Sequence, residues 1–362
     1  MRTILLGPQR FTLKATTALR SLGTEGPAAV INAGWEERED DLAELDAALD
    51  GRARNLRLFH RLGDVLAKDH RFASAATVFR NRHDELTRLY RLRLDHSKAE
   101  VYAVQRHLPP PIEHAAPRAP SVPAGAPSAP DTAAPDTVAG RGFLDAIENV
   151  RRTDAWYLRE LDLLYAALRD DGGTETSGVI GWHRGEIAAS QNGCAAMVLP
   201  GGNVRTLMSV LRLFRIEIPD EVPVVAWSAG AMALTDRVVL FHDHGLDGSR
   251  ETEVFDHGLG RIRRVVLFPH ARRRLRMTDP ARLTVLAHRF LEAECVVLDD
   301  GTLLDVSDGG RPASARIIRA DGHVHTGAEL GAPGVSTQSG GADIAAVPPH
   351  PASPAGAVGD AR

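Results

Sequence analysis

The sequence predicts an α/β fold, built on a mainly parallel, doubly wound sheet that is interrupted by a long helical hairpin. Short apolar runs alternate with helical patterns in both halves of the chain, which is typical of parallel sheets with helices on both faces. Apolar side chains recur near the helical period over residues 86–108 and again over 144–168, which predicts two long helices. The Pro-rich residues 109–140 hold nine of the 22 prolines and predict a disordered loop between them.

Four segments are predicted along the chain. Residues 1–60 form the first part of the α/β domain, 61–170 the helical insertion, 171–330 the second part of the α/β domain, and 331–362 a disordered tail. Strands are predicted at residues 2–6, 28–33, 56–59, 195–199, 223–227, 238–241, 265–268, 295–298, 302–306 and 316–319. In such a sheet the functional site lies beyond the carboxyl ends of the strands.

The composition argues against several classes of function. The chain carries a formal net charge of −4, so we expect neither nucleic acid nor an acidic membrane surface as a partner. No stretch approaches the roughly 18 apolar residues of a membrane span, and the N-terminal apolar run is too short for a signal peptide. Cys194 and Cys295 each lie beside an apolar run and are predicted to be buried thiols outside any disulfide. We therefore expect a soluble cytoplasmic protein.

The strongest chemical signal is a serine directly after a predicted strand. Ser228 follows the apolar residues 223–227 and is surrounded by Ala226, Ala229 and Gly230. Small neighbours and a following helix are typical of a nucleophile elbow, in which a sharp turn exposes the serine at a helix N-terminus. A serine that only caps a helix after a tight turn would have the same pattern.

A second loop carries two glycines. Gly201-Gly202-Asn203 follows the predicted strand at residues 195–199 and opens a helix that Asn203 can cap. The amides of Gly202 and Ala229 together would suit an oxyanion hole. An ordinary turn before a helix fits the same residues.

A serine nucleophile needs a base and a carboxylate that orients it. His270 ends the apolar run 265–268 downstream of Ser228, and Asp243 ends the run before it. Rival candidates lie close by in the sequence: His242, His244 and His257 for the base, and Asp236, Asp247 and Asp256 for the acid.

Four motifs occur in order within residues 195–306: Pro200-Gly201-Gly202-Asn203, Trp227-Ser228-Ala229-Gly230-Ala231, Pro269-His270 and Leu298-Asp299-Asp300-Gly301-Thr302. In order and spacing they resemble the peptidase E and cyanophycinase family of serine peptidases, whose fold is flavodoxin-like and class I glutamine amidotransferase-like. The resemblance covers about a third of the chain well, and residues 34–39 add a weaker similarity. The sequence departs from the family at Ala271, where an aromatic residue is usual, and at Asp300, where Glu is common.

The resemblance implies a serine-type peptidase or amide hydrolase that forms an acyl-enzyme and acts on small or aspartate-containing peptides. It implies Ser228 as nucleophile, His270 as general base and the amides of Gly202 and Ala229 as oxyanion donors. Asp243 falls where the peptidase E branch keeps its triad acid, although the surrounding loop differs. No cofactor or metal is expected, and a homodimer is one oligomeric state that the sequence allows.

Arginines flank His270 on both sides, and two interpretations of them stay open. They are a solvated basic face, or some of them bind acidic groups of a peptide. Under the second interpretation the substrate contacts are Asn203, Arg272 and Arg273. The full cluster is Arg261, Arg263, Arg264, Arg272, Arg273, Arg274 and Arg276.

Other functions fit the sequence less well. A class I glutamine amidotransferase would have Cys in place of Ser228, and an α/β-hydrolase usually has its His much further downstream. A zinc site built from His242, Asp243, His244, Asp247, Asp256 and His257 would have no familiar ligand spacing. The main alternative is a catalytically silent, glutamine amidotransferase-like binding protein whose helical hairpin and tail serve a partner.

Overall fold

A computed structural model describes residues 2–9, 14–108, 137–241, 252–306 and 311–330. Its strands are β1 (Thr3–Leu6), β2 (Ala28–Val30), β3 (Ala53–Asn55), β4 (Ala196–Leu199), β5 (Val224–Trp227), β6 (Arg237–Leu240), β7 (Glu253–His257), β8 (Val265–Pro269), β9 (Glu294–Leu298), β10 (Leu303–Asp305), β11 (Arg316–Ile318) and β12 (Val324–Thr326). Its helices are α1 (Ala15–Leu22), α2 (Ala43–Ala48), α3 (Leu58–Lys68), α4 (His70–Gln105), α5 (Val138–Asp171), α6 (Gly178–Gln191), α7 (Val204–Leu213), α8 (Ala229–Ala233), α9 (Ala271–Arg274), α10 (Pro280–Arg289) and α11 (Gly327–Leu330), with a 3₁₀ segment at Ala33–Arg38.

The main sheet has six strands in the order β10-β1-β5-β4-β2-β3. The edge strand β10 is antiparallel to its neighbour β1. The other five strands, β1, β5, β4, β2 and β3, run parallel to one another. Alternate residues of β5 enter two separate apolar clusters, Val224 and Ala226 on one face and Val225 and Trp227 on the other. This alternation means that both faces of the sheet are covered. The prediction of an α/β fold with a mainly parallel main sheet is therefore confirmed.

Two further sheets complete the α/β body. One has the order β12-β11-β9-β8, in which β8 and β9 are parallel, and the other is the antiparallel pair β6-β7. The chain passes from the four-stranded sheet to the main sheet in the short connection between β9 and β10. There the carbonyl of Thr302 accepts from the amide of Gly7, just after β1, at 2.9 Å.

Two predictions about local structure are wrong. The strand predicted at residues 56–59 is instead the junction between β3 and α3 together with the start of α3, and Arg57 in the junction adopts a φ of 53°. Leu56 and Leu58 are apolar because both are buried at this junction, not because they alternate along a strand. Cys295 is buried as predicted, whereas Cys194 is only half-buried.

The helices α4 and α5 are 36 and 34 residues long and pack along each other. Asp69 caps α4 by accepting from the amide of Phe72 at 2.9 Å, and Thr137 caps α5 by accepting from the amide of Gly140 at 3.0 Å. The Tyr90 and Tyr157 rings stack at 4.3 Å in the apolar seam between the helices. Almost all of the Pro-rich loop and the whole C-terminal tail predicted from the sequence lie outside the described residues. Among the described residues, no helix combines the length and the apolarity needed to cross a membrane.

A buried ion pair fastens this hairpin to the four-stranded sheet. Arg289 of α10 donates to both carboxylate oxygens of Asp154 on α5, at 2.6 and 2.7 Å. The Tyr90 hydroxyl donates to the same carboxylate at 2.7 Å. The Arg289 and Asp154 side chains are 2% and 3% exposed, so neither charge is solvated. Each charge depends on the other, because an unpaired buried charge is strongly unfavourable.

We expect Asp154→Ala to lower the free energy of unfolding by about 3–5 kcal/mol, because it leaves the Arg289 guanidinium buried without its partner. Urea denaturation followed by circular dichroism measures this change. The matched control is Asp145→Ala, since Asp145 is exposed on the same helix and should change stability by less than about 0.5 kcal/mol. Equal midpoints for the two variants would show that the ion pair does not hold the hairpin.

Candidate active site

Ser228 lies at a sharp turn between β5 and α8. Its backbone has φ 50° and ψ −122°, a region that costs a non-glycine residue about 1–3 kcal/mol. The turn is packed so tightly that a Cβ atom on Gly230 would lie 2.0 Å from the carbonyl oxygen of Leu199. Gly230 is therefore required for space, and the sequence Ser-Ala-Gly produces the strained strand-to-helix turn of a nucleophile elbow.

The glycine loop after β4 lies directly against this serine. A Cβ atom on Gly201 would be 2.7 Å from the Cβ of Ser228 and 3.3 Å from its Oγ. Gly202 has a φ of 128°, and a Cβ atom there would lie 2.3 Å from the carbonyl oxygen of Gly34. The loop is thus enclosed between Ser228 and the 3₁₀ segment, and only glycine fits either position.

The two predicted oxyanion donors are the amide of Gly202 in the glycine loop and the amide of Ala229 directly after Ser228. Within the described residues, neither the Gly202 N–H nor the Ala229 N–H donates a hydrogen bond to another atom of the chain. The Ala229 amide opens α8, so it has no carbonyl one turn earlier to pair with. Open amides beside a serine hydroxyl are the donors that an oxyanion hole requires.

Glu36 is a residue of the site that the sequence interpretation missed. It has φ 57° and ψ −125°, nearly the same strained conformation as Ser228. Its carboxylate accepts from Asn203 Nδ2 at 2.8 Å and from Thr206 Oγ1 at 2.6 Å. The weak similarity at residues 34–39 includes Glu36, but the residue types alone do not reveal its conformation.

Both polar atoms of the Asn203 side chain form hydrogen bonds within the chain. Its Nδ2 donates to Glu36, and its Oδ1 accepts from the amides of Arg205 at 3.0 Å and Thr206 at 3.4 Å. Its backbone amide also donates to Gly34 at 2.7 Å. The structure therefore gives Asn203 a role in holding the glycine loop, and its predicted contact with substrate stays a prediction.

His270 follows β8 and reaches the same end of the fold as Ser228. Its amide donates to the carbonyl of Leu298 at the end of β9, at 3.0 Å. Gly7 follows β1, the parallel neighbour of β5, and lies so close to Asp299 that a Cβ atom on Gly7 would be 1.8 Å from the Asp299 carbonyl oxygen. The carboxyl ends of β1, β5, β8 and β9 thus face one region. Among the described residues, no hydrogen bond joins the Ser228 hydroxyl to the His270 ring.

The environment of His270 favours the neutral imidazole. Partial burial lowers the pKa of His270, and the positive charge of Arg274 lowers it further. Asp300 and Asp299 oppose this shift by favouring the imidazolium. A neutral ring at pH 7 is the state that a general base needs before it accepts a proton.

The predicted substrate arginines lie beside carboxylates of the chain itself. The buried Asp299 accepts from the amide of Arg272 at 2.9 Å and from Arg316 Nη1 at 2.8 Å, and the Nε of Arg272 lies 3.3 Å from it. Arg273 lies 3.9 Å from Asp300. Arg261 is not part of a solvated face, because it donates to Thr3 Oγ1 at 3.0 Å and to carbonyls around Val222.

The predicted triad acid, Asp243, lies outside the described residues, as do His242, His244 and Asp247. Three rival candidates are already engaged in the described structure. Asp256 is buried and paired with Arg212 and Tyr165, Asp236 accepts from the amide of Arg264 at 2.7 Å, and His257 lies 3.3 Å from Asp162. Within the described ranges, no three His, Cys, Asp or Glu side chains are grouped so that they could hold a metal ion.

Comparison with known proteins adds no assignment: neither a scan against protein-family models nor a search of curated proteins finds a match.

We expect the His270 pKa to lie below the ordinary histidine value of about 6.5, because burial and the Arg274 charge both disfavour the imidazolium. Arg274→Gln should raise that pKa by removing one positive charge. Two-dimensional NMR of the imidazole across a pH titration measures both values, with His270→Gln used for assignment. Arg263→Gln is the matched control, since Arg263 is exposed and is not among the charges that act on His270. A His270 pKa that is unchanged in Arg274→Gln would contradict this account of its environment.

Proposed function

We propose that the chain is a serine-type peptidase or amide hydrolase that works through an acyl-enzyme on Ser228. The observation that supports it most strongly is the strained Ser228 backbone, with Gly201 against its side chain and two open amides beside it. Strain of this kind persists only where surrounding packing maintains it, and it concentrates at functional sites. The mainly parallel sheet also fits the flavodoxin-like, class I glutamine amidotransferase-like fold that the proposal assumes.

In the proposed reaction, the Ser228 hydroxyl attacks the carbonyl carbon of an amide while the His270 ring accepts the hydroxyl proton. The resulting oxyanion accepts hydrogen bonds from the amides of Gly202 and Ala229. His270 then gives the proton to the departing amine, and an acyl-enzyme remains. Water, activated by the same ring, releases the acid and restores the serine.

The proposed substrates are small or aspartate-containing peptides. Exposed guanidinium groups of Arg272 and Arg273 lie on α9, directly after His270. Each lies near a carboxylate of this chain, Asp299 or Asp300, so an acidic substrate group would share or replace that partner. A screen of aspartyl dipeptides and of isoaspartyl polymers with the purified protein tests this substrate class.

The second candidate is a binding protein that keeps the elbow without turnover. The observation in its favour is that no hydrogen bond joins Ser228 to His270 within the described residues. Catalytic hydrogen bonds are often long in the absence of substrate and tighten on binding, so the same observation is compatible with a hydrolase. Reactivity of the serine separates the two candidates.

We expect a fluorophosphonate probe to label Ser228 and Ser228→Ala to abolish both labelling and peptide turnover. Mass spectrometry of the labelled peptide identifies the modified residue. Ser74→Ala is the matched control, since Ser74 is exposed on α4 and should label like the unmodified protein. Circular dichroism should show the same fold for all three proteins. Full turnover by Ser228→Ala would refute the proposed mechanism, and failure of the probe to react would favour the binding protein.

We expect Glu36→Ala to slow labelling of Ser228, because Asn203 and Thr206 lose the acceptor that fixes the glycine loop. Displacement of a catalytic group by about 1 Å can cost about 10²-fold in rate, so a loss of about that size is expected in the second-order labelling constant. Glu36→Gln keeps one acceptor oxygen and should lose less. Glu37→Ala is the control, since Glu37 is exposed beside it. If Glu36→Ala and Glu37→Ala label at the same rate, Glu36 does not position the loop.

A further inference from the structure

A cavity of about 420 Å³ lies where the helical hairpin meets the α/β body. Helices α3, α4, α5 and α7 all contribute to its walls, whereas Ser228, Gly202 and His270 do not line it. Its volume falls within the range of about 300–1,000 Å³ that is typical of small-molecule sites. The cavity is therefore separate from the proposed catalytic residues, although α7 runs from one to the other.

One wall of the cavity is apolar. It contains Leu62 of α3, Phe72 and Phe79 of α4, Leu168 of α5 and Phe255 of β7. These side chains come from four different elements, so the apolar surface exists only when the hairpin is docked on the body. A surface of this kind binds hydrocarbon or ring groups by removing them from water.

The rest of the lining is strongly basic. Among the residues that the structure describes, six arginines face the cavity and one carboxylate does, that of Glu175. Four acids form ion pairs with these six arginines, so the cavity lining keeps a formal excess of two positive charges. The pairs are Arg212 with Asp256, Arg215 and Arg184 with Glu175, Arg205 with Asp84 and Arg169 with Asp170, and Arg80 is the sixth arginine. The excess is local, since the whole chain has a net charge of −4.

The basic groups of α7 form an ordered stripe. Arg205, Ser209 and Arg212 follow one another at helical spacing along one side of the helix, and all three line the cavity. Arg212 is held by the buried Asp256, and its guanidinium lies 4.3 Å from the centre of the Tyr165 ring. Fixed donors lose little conformational freedom when they bind a ligand.

Arg205 is positioned by a neutral histidine. Its Nη1 lies 3.0 Å from Nδ1 of His83. Burial and the Arg205 charge lower the His83 pKa to about 4, so at pH 7 the ring is neutral and Nδ1 can accept this hydrogen bond. On the other side of the ring, Nε2 lies 3.4 Å from the Tyr157 hydroxyl, which in turn donates to the Phe255 carbonyl at 3.1 Å. This network holds the Arg205 guanidinium next to the apolar wall.

We propose that this cavity binds an amphiphilic anion, in which a carboxylate or phosphate head contacts Arg205 and its neighbouring guanidiniums and an apolar body covers the Phe79 and Phe255 wall. Such a ligand suits both parts of the cavity, since a simple ion would leave the apolar wall exposed to water and a simple hydrocarbon would leave the excess of two positive charges without an anion. This site goes beyond the proposed hydrolase and does not depend on it.

The test is isothermal titration calorimetry of the full chain with decanoate, decyl phosphate and the neutral 1-decanol, all below their micelle concentrations. We expect saturable binding of one ligand per chain for at least one of the two anions, and at least tenfold weaker binding of 1-decanol. The affinities of decanoate and decyl phosphate, compared with each other, show whether the arginines prefer a carboxylate or a phosphate head group. Absence of saturable binding by both anions, or equal binding of 1-decanol, would overturn the proposal.

Variants locate the binding in this cavity. Ser209→Trp places a large ring inside the lining from an exposed position of α7 and should abolish binding, while Arg205→Gln should weaken it at least tenfold. Arg159→Gln removes one exposed charge from α5 outside the lining and should bind like the unmodified protein. Ser228→Ala should also bind normally, so the result is independent of any hydrolase activity. Unchanged binding by Ser209→Trp would place the ligand elsewhere and reject this site.

Discussion

Close approach of backbone segments around Ser228 is the constraint on which the whole site depends. Gly201 packs against the Ser228 side chain, Gly230 against the Leu199 carbonyl, and Gly202 against Gly34. At each contact a Cβ atom would overlap a neighbour, so these glycines are required for space. The packed ends of β4 and β5 thereby hold Ser228 in a conformation that it would not adopt in an unrestrained loop.

Three of the seven described non-glycine residues that have a positive φ lie in this region. Glu36, Ser228 and His270 all have a positive φ although none is glycine. Each follows or approaches the carboxyl end of a parallel strand, which is where α/β sheets place their ligands. The strain has a structural source at each position: Glu36 is tied to the loop that begins α7, Ser228 is enclosed by glycines, and His270 is bonded to the end of β9. Departures from local preference at the ends of parallel strands are expected at functional sites.

Much of the fold could be predicted from the sequence, because the spacing of apolar residues indicates which side chains are buried. The parallel core strands are apolar on both faces, so β4, β5, β8 and β9 were recognisable as short apolar runs. The edge strand β3, with the sequence Ala-Arg-Asn, carries no such signal, and the apolar residues Leu56 and Leu58 beside it belong to a junction. In the site, Ser228 and the glycine loop were recognisable from local residue types. Glu36 was not, since its role comes from a contact with Asn203 that is far away in the sequence.

The helical hairpin contacts both regions of the body for which a role is proposed. On one side, the Arg289–Asp154 pair ties α5 to α10, which packs on the sheet that carries β8 and therefore His270. On the other side, α4 and α5 enclose the cavity against α7, whose first turn is capped by Asn203. The residues of α7 that line the cavity therefore lie on the same helix that Asn203 caps. Because Asn203 is hydrogen-bonded to Glu36 and Gly34, the first turn of α7 is fixed to the glycine loop beside Ser228. One helix thus contributes to the wall of the cavity and begins at the candidate active site.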